Sequence, residues 1–299
     1  QWTAAIDSVG RLFAWGSNSQ GQLGDGTTVN KSSPVQVGTS SWASVASGLS
    51  HTVAIDSVGR LFAWGLNSGG QIGDGTTINK SSPVQIGTSS WSVVNASTSN
   101  CYAIDSVGRL FTWGTNGAGQ IGDGTTISKS SPVLIGTSSW LFLGASFGGN
   151  GILAIDINKR LFGWGSGSTG SIGDGTTLSR SSPLLVGTSS WSMVKTAAGT
   201  NSIGITIDGR LFTWGYAASY NLGDGTSVNR SYPGQIGSYL AFNLGLNGQY
   251  ISKILTTGSG AGIFLDQVPS VLTIGNNTNG ELGLYANTTS QSVYTRILQ

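Results

Sequence analysis

The chain of 299 residues has a single histidine, His51, and a single cysteine, Cys101, so nucleophilic and metal chemistry have few places to start. A Ser-His-Asp arrangement would have to use His51, and no Gly-x-Ser-x-Gly elbow stands after a strand with helical sequence beyond it. The bland reading of His51 is a buried or hydrogen-bonded strand residue. Cys101 lies between Asn100 and Tyr102, which bring no positive charge to lower its pKa, and reads as a small core residue. One cysteine also excludes an internal disulfide and any zinc site built from several thiolates. Of the 12 acidic residues, eleven recur in register: Asp7, Asp56, Asp105, Asp156, Asp208 and Asp266 at turns or their equivalents, and Asp25, Asp74, Asp123, Asp174 and Asp224 in Gly-Asp-Gly-Thr, leaving Glu281. Calcium needs several converging oxygens, whereas each Gly-Asp-Gly-Thr offers one carboxylate; a tight turn in which Asp accepts backbone N–H bonds accounts for it better. No helix follows whose N-terminus could hold phosphate. Ten of the 14 bases recur as well: Arg11, Arg60, Arg109, Arg160 and Arg210, with Lys31, Lys80, Lys129, Arg180 and Arg230. The expectation is therefore no catalytic residue, no metal, no cofactor and no enzyme.

The elements that hold these residues come from a repeat. Leu-Phe-x-Trp-Gly occupies 12–16, 61–65, 110–114, 161–165 and 211–215, with a worn sixth copy at 271–275. Residues 12–42 and 61–91 differ at five of 31 positions, three of them Val/Ile or Leu/Ile exchanges, so one structural unit has been copied. Within it, Thr52 to Ile55 and Arg60 to Trp64 are β-prone and flank Asp56-Ser57-Val58-Gly59, which is turn chemistry. In the fifth copy the linker reads as Asp208-Gly209, the pair preferred in a two-residue hairpin turn. Pro83 to Ile86 reads as a strand with Pro at its first position, and Trp91 to Val94 as a fourth strand. Four short strands in about 50 residues, without helical periodicity, make one blade of a β-propeller. In Leu61-Phe62-Ala63-Trp64 both parities are apolar, so both faces need cover, which stacked blades supply. The series Trp15, Trp64, Trp113, Trp164 and Trp214 reads as core filling the wedge between neighbours, and Trp42, Trp91, Trp140 and Trp191 as further packing.

Composition agrees. Asp, Glu, Lys and Arg make up only 9% of the chain, against about 25% in an average soluble protein. With 10 Trp, 8 Tyr and 9 Phe to bury, disorder is excluded. A net charge of +2 provides no basic stripe for nucleic acid or an acidic membrane, and no run of apolar residues is long enough for a transmembrane helix. The chain starts at Gln1 without Met or an apolar leader, as a mature or incomplete piece would.

Two stretches, Trp15-Gly16-Ser17-Asn18-Ser19-Gln20-Gly21-Gln22-Leu23-Gly24-Asp25-Gly26 and Val45 to Ile55 around Gly48-Leu49-Ser50-His51, resemble the two signatures of the RCC1 (regulator of chromosome condensation) repeat family, over essentially the whole chain. The resemblance implies a single all-β domain spanning 1–299, a propeller of four-stranded blades that holds partners. Six repeats are visible, and seven are possible if the chain is incomplete. The chain enters partway through a repeat, so one strand is missing from six blades, and closure is expected from strands of both termini sharing one blade.

Because the shared positions hold the copies together, a partner is expected where they differ. Those places are the loop after Trp-Gly, which varies from Ser17–Gln20 to Tyr216–Tyr220; the stretches Ala46–Ser50, Gly144–Gly151 and Thr196–Ser202; and the long Ser238–Gly262. The candidate contacts are Tyr216, Tyr220, Tyr239, Phe242, Tyr250 and His51. The expected function is a non-enzymatic protein-binding scaffold, extracellular, on a cell surface or on a virion as a fibre or decoration component, with assembly into a larger particle or filament as one route. One alternative, implied by the resemblance alone, is nucleotide exchange on a small GTPase, for which the long segment offers a single Lys253. The other is glycan binding through Tyr216, Tyr220 and Tyr239.

Overall fold

Among the described residues five of six sheets are four-stranded antiparallel meanders, and the first has three strands. This is a computed structural model that describes residues 2–144, 151–197, 201–217 and 222–236, together with the backbone of strands at 251–256, 260–265, 270–275 and 291–298. Every regular element among the described residues is a strand, and no helix among them is long and apolar enough to cross a membrane. The first sheet contains β1 (Trp2–Ile6), β2 (Leu12–Gly16) and β3 (Lys31–Gln36); the second β4 (Trp42–Ser47), β5 (His51–Asp56), β6 (Leu61–Gly65) and β7 (Lys80–Gln85); the third β8 (Trp91–Ala96), β9 (Asn100–Asp105), β10 (Leu110–Gly114) and β11 (Lys129–Leu134). The fourth contains β12 (Trp140–Leu143), β13 (Gly151–Asp156), β14 (Leu161–Gly165) and β15 (Arg180–Leu185); the fifth β16 (Trp191–Ala197), β17 (Asn201–Thr206), β18 (Leu211–Gly215) and β19 (Arg230–Gln235); the sixth β20 (Ile251–Thr256), β21 (Gly260–Leu265), β22 (Ser270–Gly275) and β23 (Gln291–Leu298). The worn copy at 271–275 thus forms a true strand, pairing Gly275 with Gly260 as Gly65 pairs with His51. The chain divides into two compact units, Gln1–Leu141 and Phe142–Gln299.

The repeat unit is of the β-propeller class, with both faces of the central strands covered. β5 is buried along its length, and in β6 Leu61, Ala63 and Trp64 are buried. In the first unit one core gathers Val53, Leu61, Ile72, Trp91, Cys101 and Trp113, and another Leu12, Leu23, Val37, Trp42 and Trp64. In the second, Leu153, Leu161, Trp191, Val194 and Trp214 form the equivalent cluster. Three Trp of the second series meet a Phe edge to face within their own sheet: Trp42 on Phe62 at 5.3 Å, Trp91 on Phe111 at 5.2 Å and Trp191 on Phe212 at 5.3 Å between ring centroids. Such geometry adds about 1 kcal/mol beyond area burial.

Two local expectations need correction. Pro83 is not the first residue of its strand: β7 begins at Lys80. The proline is tolerated because β7 is an edge strand and the ladder to β6 is interrupted by a bulge, with Ala63 opposite Val84 but Gly65 opposite Lys80. The Asp208-Gly209 loop is not a two-residue hairpin. Ile205 pairs with Leu211 as Ile55 pairs with Leu61, so five residues intervene in both copies, and Thr206 stands where the others have Asp. The shared loop frame, with the Thr206 amide donating to the Arg210 carbonyl at 3.0 Å, overrides the local Asp-Gly preference. Among the described strands β23 pairs with β22 and β1 with β2, and the expected sharing of one blade by strands of both termini is not among these pairings.

Candidate functional site

Among the described residues each recurrent charge is used within its own copy. In the hairpin loops Asp56 Oδ1 accepts from the amides of Val58 and Arg60 at 3.1 and 2.8 Å, while Arg60 Nε donates to Oδ2 at 2.7 Å. Burial works to raise this carboxyl, but the hydrogen bonds from Arg60 and the Val58 amide outweigh it and hold it below the ordinary aspartate value. The same Arg lies over the neighbouring Phe62 ring at 5.6 Å, a cation–π contact repeated in all five copies. At the fourth copy Lys159 takes the place of the turn glycine and is held at φ 64°, the one described non-glycine in the left-handed region.

The Gly-Asp-Gly-Thr loops are the tight turns expected. Asp25 Oδ1 accepts from the Thr27 amide at 3.0 Å and the Thr27 hydroxyl at 2.8 Å, and Lys31 Nζ lies 3.2 Å from Oδ2. Burial raises Asp25 less than Thr27, Lys31 and Asn18 lower it, so its carboxyl stays below the usual range. All ten described aspartates are ion-paired with a base of the same copy, at 2.5–3.2 Å. Among the described residues no group of three or more His, Cys, Asp or Glu is placed to hold a metal.

The Trp ladder is a seam between copies. Trp64 Nε1 donates to the Gln22 carbonyl at 3.0 Å, Trp113 Nε1 to Gln71 at 2.9 Å and Trp214 Nε1 to Ser171 at 2.9 Å, each acceptor lying in the preceding copy. The ring then covers the first glycine of that copy's Gly-Asp-Gly-Thr. A Cβ on Gly24 would stand 2.5 Å from Trp64 Nε1, and Gly24 is at φ 74°, so the seam excludes any side chain there twice over. Trp64, Trp113, Trp164 and Trp214 are fully buried, whereas Trp15, which has no earlier copy in the sequence, is half-buried.

His51 is fully buried in β5, and neither ring nitrogen makes a hydrogen bond. Burial pushes its pKa down to about 4, partly opposed by the Asn100 backbone. It presents no surface to a partner, so its place among the candidate contacts is corrected: the register opposite Gly65 lies inside the sheet stack. Cys101 is likewise buried, and burial pushes its thiol up. Tyr216 is 39% exposed just after β18. Tyr220, Tyr239, Phe242 and Tyr250 lie outside the described residues. Asn18, part of the variable loop, proves to be internal scaffolding: it is fully buried, with Oδ1 accepting from Leu23 N at 2.9 Å and Nδ2 donating to the Thr27 and Val29 carbonyls.

Two exposed features escaped the sequence reading. One aliphatic residue per copy, Val29, Ile78, Ile127, Leu178 and Val228, is at least 60% exposed at the fourth place after the Gly-Asp-Gly-Thr aspartate. Tyr232 is 61% exposed where the other four copies carry Ser33, Ser82, Ser131 and Ser182. Aligning the copies by their Ser-x-Pro would have revealed both.

Against known proteins, the sequence matches the regulator of chromosome condensation (RCC1) repeat over residues 9–55, 58–103, 107–155 and 208–253, well over half of the chain, and a second description of the same repeat over 42–71. No curated protein sequence matches. Among solved structures, human WBSCR16 is similar with a TM-score of 0.82 at 21% identity, over 100% of this chain and 79% of that one. Saccharomyces cerevisiae Prp20p, in a structure described with its binding to Gsp1p and histones, is similar with a TM-score of 0.79 at 19% identity, over 100% and 75%. Yeast RCC1 (Prp20) bound by Kap60 gives 0.78 at 17%, over 100% and 73%. These identities establish likeness of fold, and the repeat match establishes descent: the chain belongs to the RCC1 repeat family.

Proposed function

We propose that this protein is a non-enzymatic scaffold that holds protein partners through the positions at which its copies differ. The observation that carries the reading is the pairing of every described aspartate with a base of its own copy, which leaves none of them free for general acid–base work. Proteins of the same fold bound to Kap60, or described as binding Gsp1p and histones, support a protein as the class of partner. The 9% content of charged residues supports a place outside a cell or on a virion. Tyr216, exposed at a position where the copies differ, is one described aromatic that such a partner would meet.

The test is to isolate the chain from its source under native conditions, by size and by mass spectrometry of what travels with it, together with negative-stain images. The expected result is a stoichiometric complex or particle heavier than the 30.6 kDa chain, with partner recovery lowered by Tyr216→Ser. A chain that travels alone and turns over a small substrate would overturn the reading.

A further inference from the structure

We infer that a cleft between the fourth and fifth copies, walled by Tyr232, binds a single neutral sugar ring of a glycan. The cleft encloses about 420 Å³, within the range of small-ligand sites. Its apolar wall comes from Tyr232, Phe212 and Leu185, and its polar side from Thr188 and Ser189, while Asp174 lines it with its carboxylate buried against Arg180 and Thr176. This is the division that a pyranose requires. One face of the ring carries only C–H bonds and stacks on an aromatic surface, while the hydroxyls around its rim need hydrogen-bonding groups. Tyr232 offers that surface, being 61% exposed. The only carboxylate in the lining, Asp174, is neutralised by Arg180 at 2.5 Å. An ionic ligand therefore gains little here, and a neutral polyol loses nothing.

The repeat supplies its own control. The Gly-Asp-Gly loop, the Gly-Thr-Ser segment, the Trp and the Phe that line this cleft recur in the other copies, but the tyrosine does not: Ser33, Ser82, Ser131 and Ser182 stand in its place. Leu185, 46% exposed, stands where Gln36, Gln85 and Gln235 stand in three copies, but the third copy carries Leu134 there, 48% exposed, so the tyrosine alone is particular to this cleft. An aromatic residue set out in solvent in the fifth copy, on a framework that the other copies build with serine, marks the cleft as specialised.

The experiment applies the purified full chain to an array of neutral and sialylated oligosaccharides, then titrates the best free oligosaccharide into the labelled protein by NMR. Binding of neutral glycans is expected, with shifts at the Thr188 and Ser189 amides. Tyr232→Ser, which installs the residue of the four other copies and so keeps the fold, weakens binding about tenfold, the scale of one aromatic stacking contact; Tyr232→Trp retains it. The inference is overturned if no glycan is retained, if Tyr232→Ser binds as well as the unaltered chain, or if a proline-rich peptide rather than a sugar shifts the Thr188 and Ser189 amides. It is independent of the scaffold reading, which concerns a protein partner and is tested on native complexes.

Discussion

The loop after Trp-Gly is built in two ways. In the first three copies a buried amide, Asn18, Asn67 or Asn116, binds the carbonyls of the Gly-Asp-Gly-Thr loop and its threonine hydroxyl, and a lysine pairs with the aspartate. In the fourth and fifth the amide is gone, replaced by Gly167 and Ala217, and the lysine has become Arg180 or Arg230. Arg180 Nε donates to Asp174 Oδ2 at 2.7 Å, and a second arm reaches the Thr176 hydroxyl at 3.2 Å, where Asn18 Nδ2 reaches Thr27 Oγ1 at 3.3 Å in the first copy. A fork of donors on a long side chain thus takes over a bond once made by a short amide, something a single ammonium does not do. Two linked substitutions preserve one loop, and that loop must be preserved because its glycine is the floor for the next Trp.

The largest effect is expected from removing the amide where it is still used. Asn67→Ala strands the Ile72 amide and the Thr76 and Ile78 carbonyls, previously bonded at 2.9, 3.0 and 3.1 Å; a loss of about 4 kcal/mol in denaturant unfolding is expected, and a loss below 1 kcal/mol would show the amide to be dispensable. A second asymmetry is His51, which belongs to the first region alone. Its pKa falls from 6.5 to about 4 on folding, so the folded state refuses a proton that the unfolded chain accepts. The contribution is complete above pH 6.5 and is lost as pH falls towards 4, a drop of about 3 kcal/mol. Below 3.8 the aspartates, whose carboxyls are lowered by their hydrogen bonds, add a further loss. His51→Asn, the residue at this register in the third sheet, should flatten the pH 4–6.5 limb of unfolding curves and leave the lower limb intact.

Exchanging the cations sharpens the comparison directly. Arg180→Lys, without an amide to fall back on, should cost about 1 kcal/mol, while Lys80→Arg should stay within about 0.5 kcal/mol of the original; equal effects would dissolve the distinction between the regions. The smallest change is a gain. Lys159→Gly relieves a left-handed backbone at φ 64° and should stabilise by about 0.5–1 kcal/mol, less than the full strain because glycine is freer when unfolded.

The period, the strands and the Asp-to-amide turns were legible because each rests on contacts between near neighbours in sequence, as with Asp56 and Arg60. The seam was not. Trp64 Nε1 and the Gln22 carbonyl stand 42 residues apart, and nothing local marks a backbone acceptor. Asn18 was misassigned for the opposite reason: it sits in a stretch that differs between copies, and only its burial shows that the difference is compensated rather than free. Tyr232 needed no structure to be noticed, but its exposure did, since a tyrosine in place of serine could equally have been buried.

The acceptor of the Trp bond at these three seams belongs to the main chain, so Gln22, Gln71 and Ser171 serve equally well. The Trp bond therefore asks for no particular side chain in the neighbouring copy. Duplication or excision of a whole repeat would leave that bond intact at the new junction whatever residue supplies the carbonyl, while insertion of part of a repeat would remove its acceptor from reach.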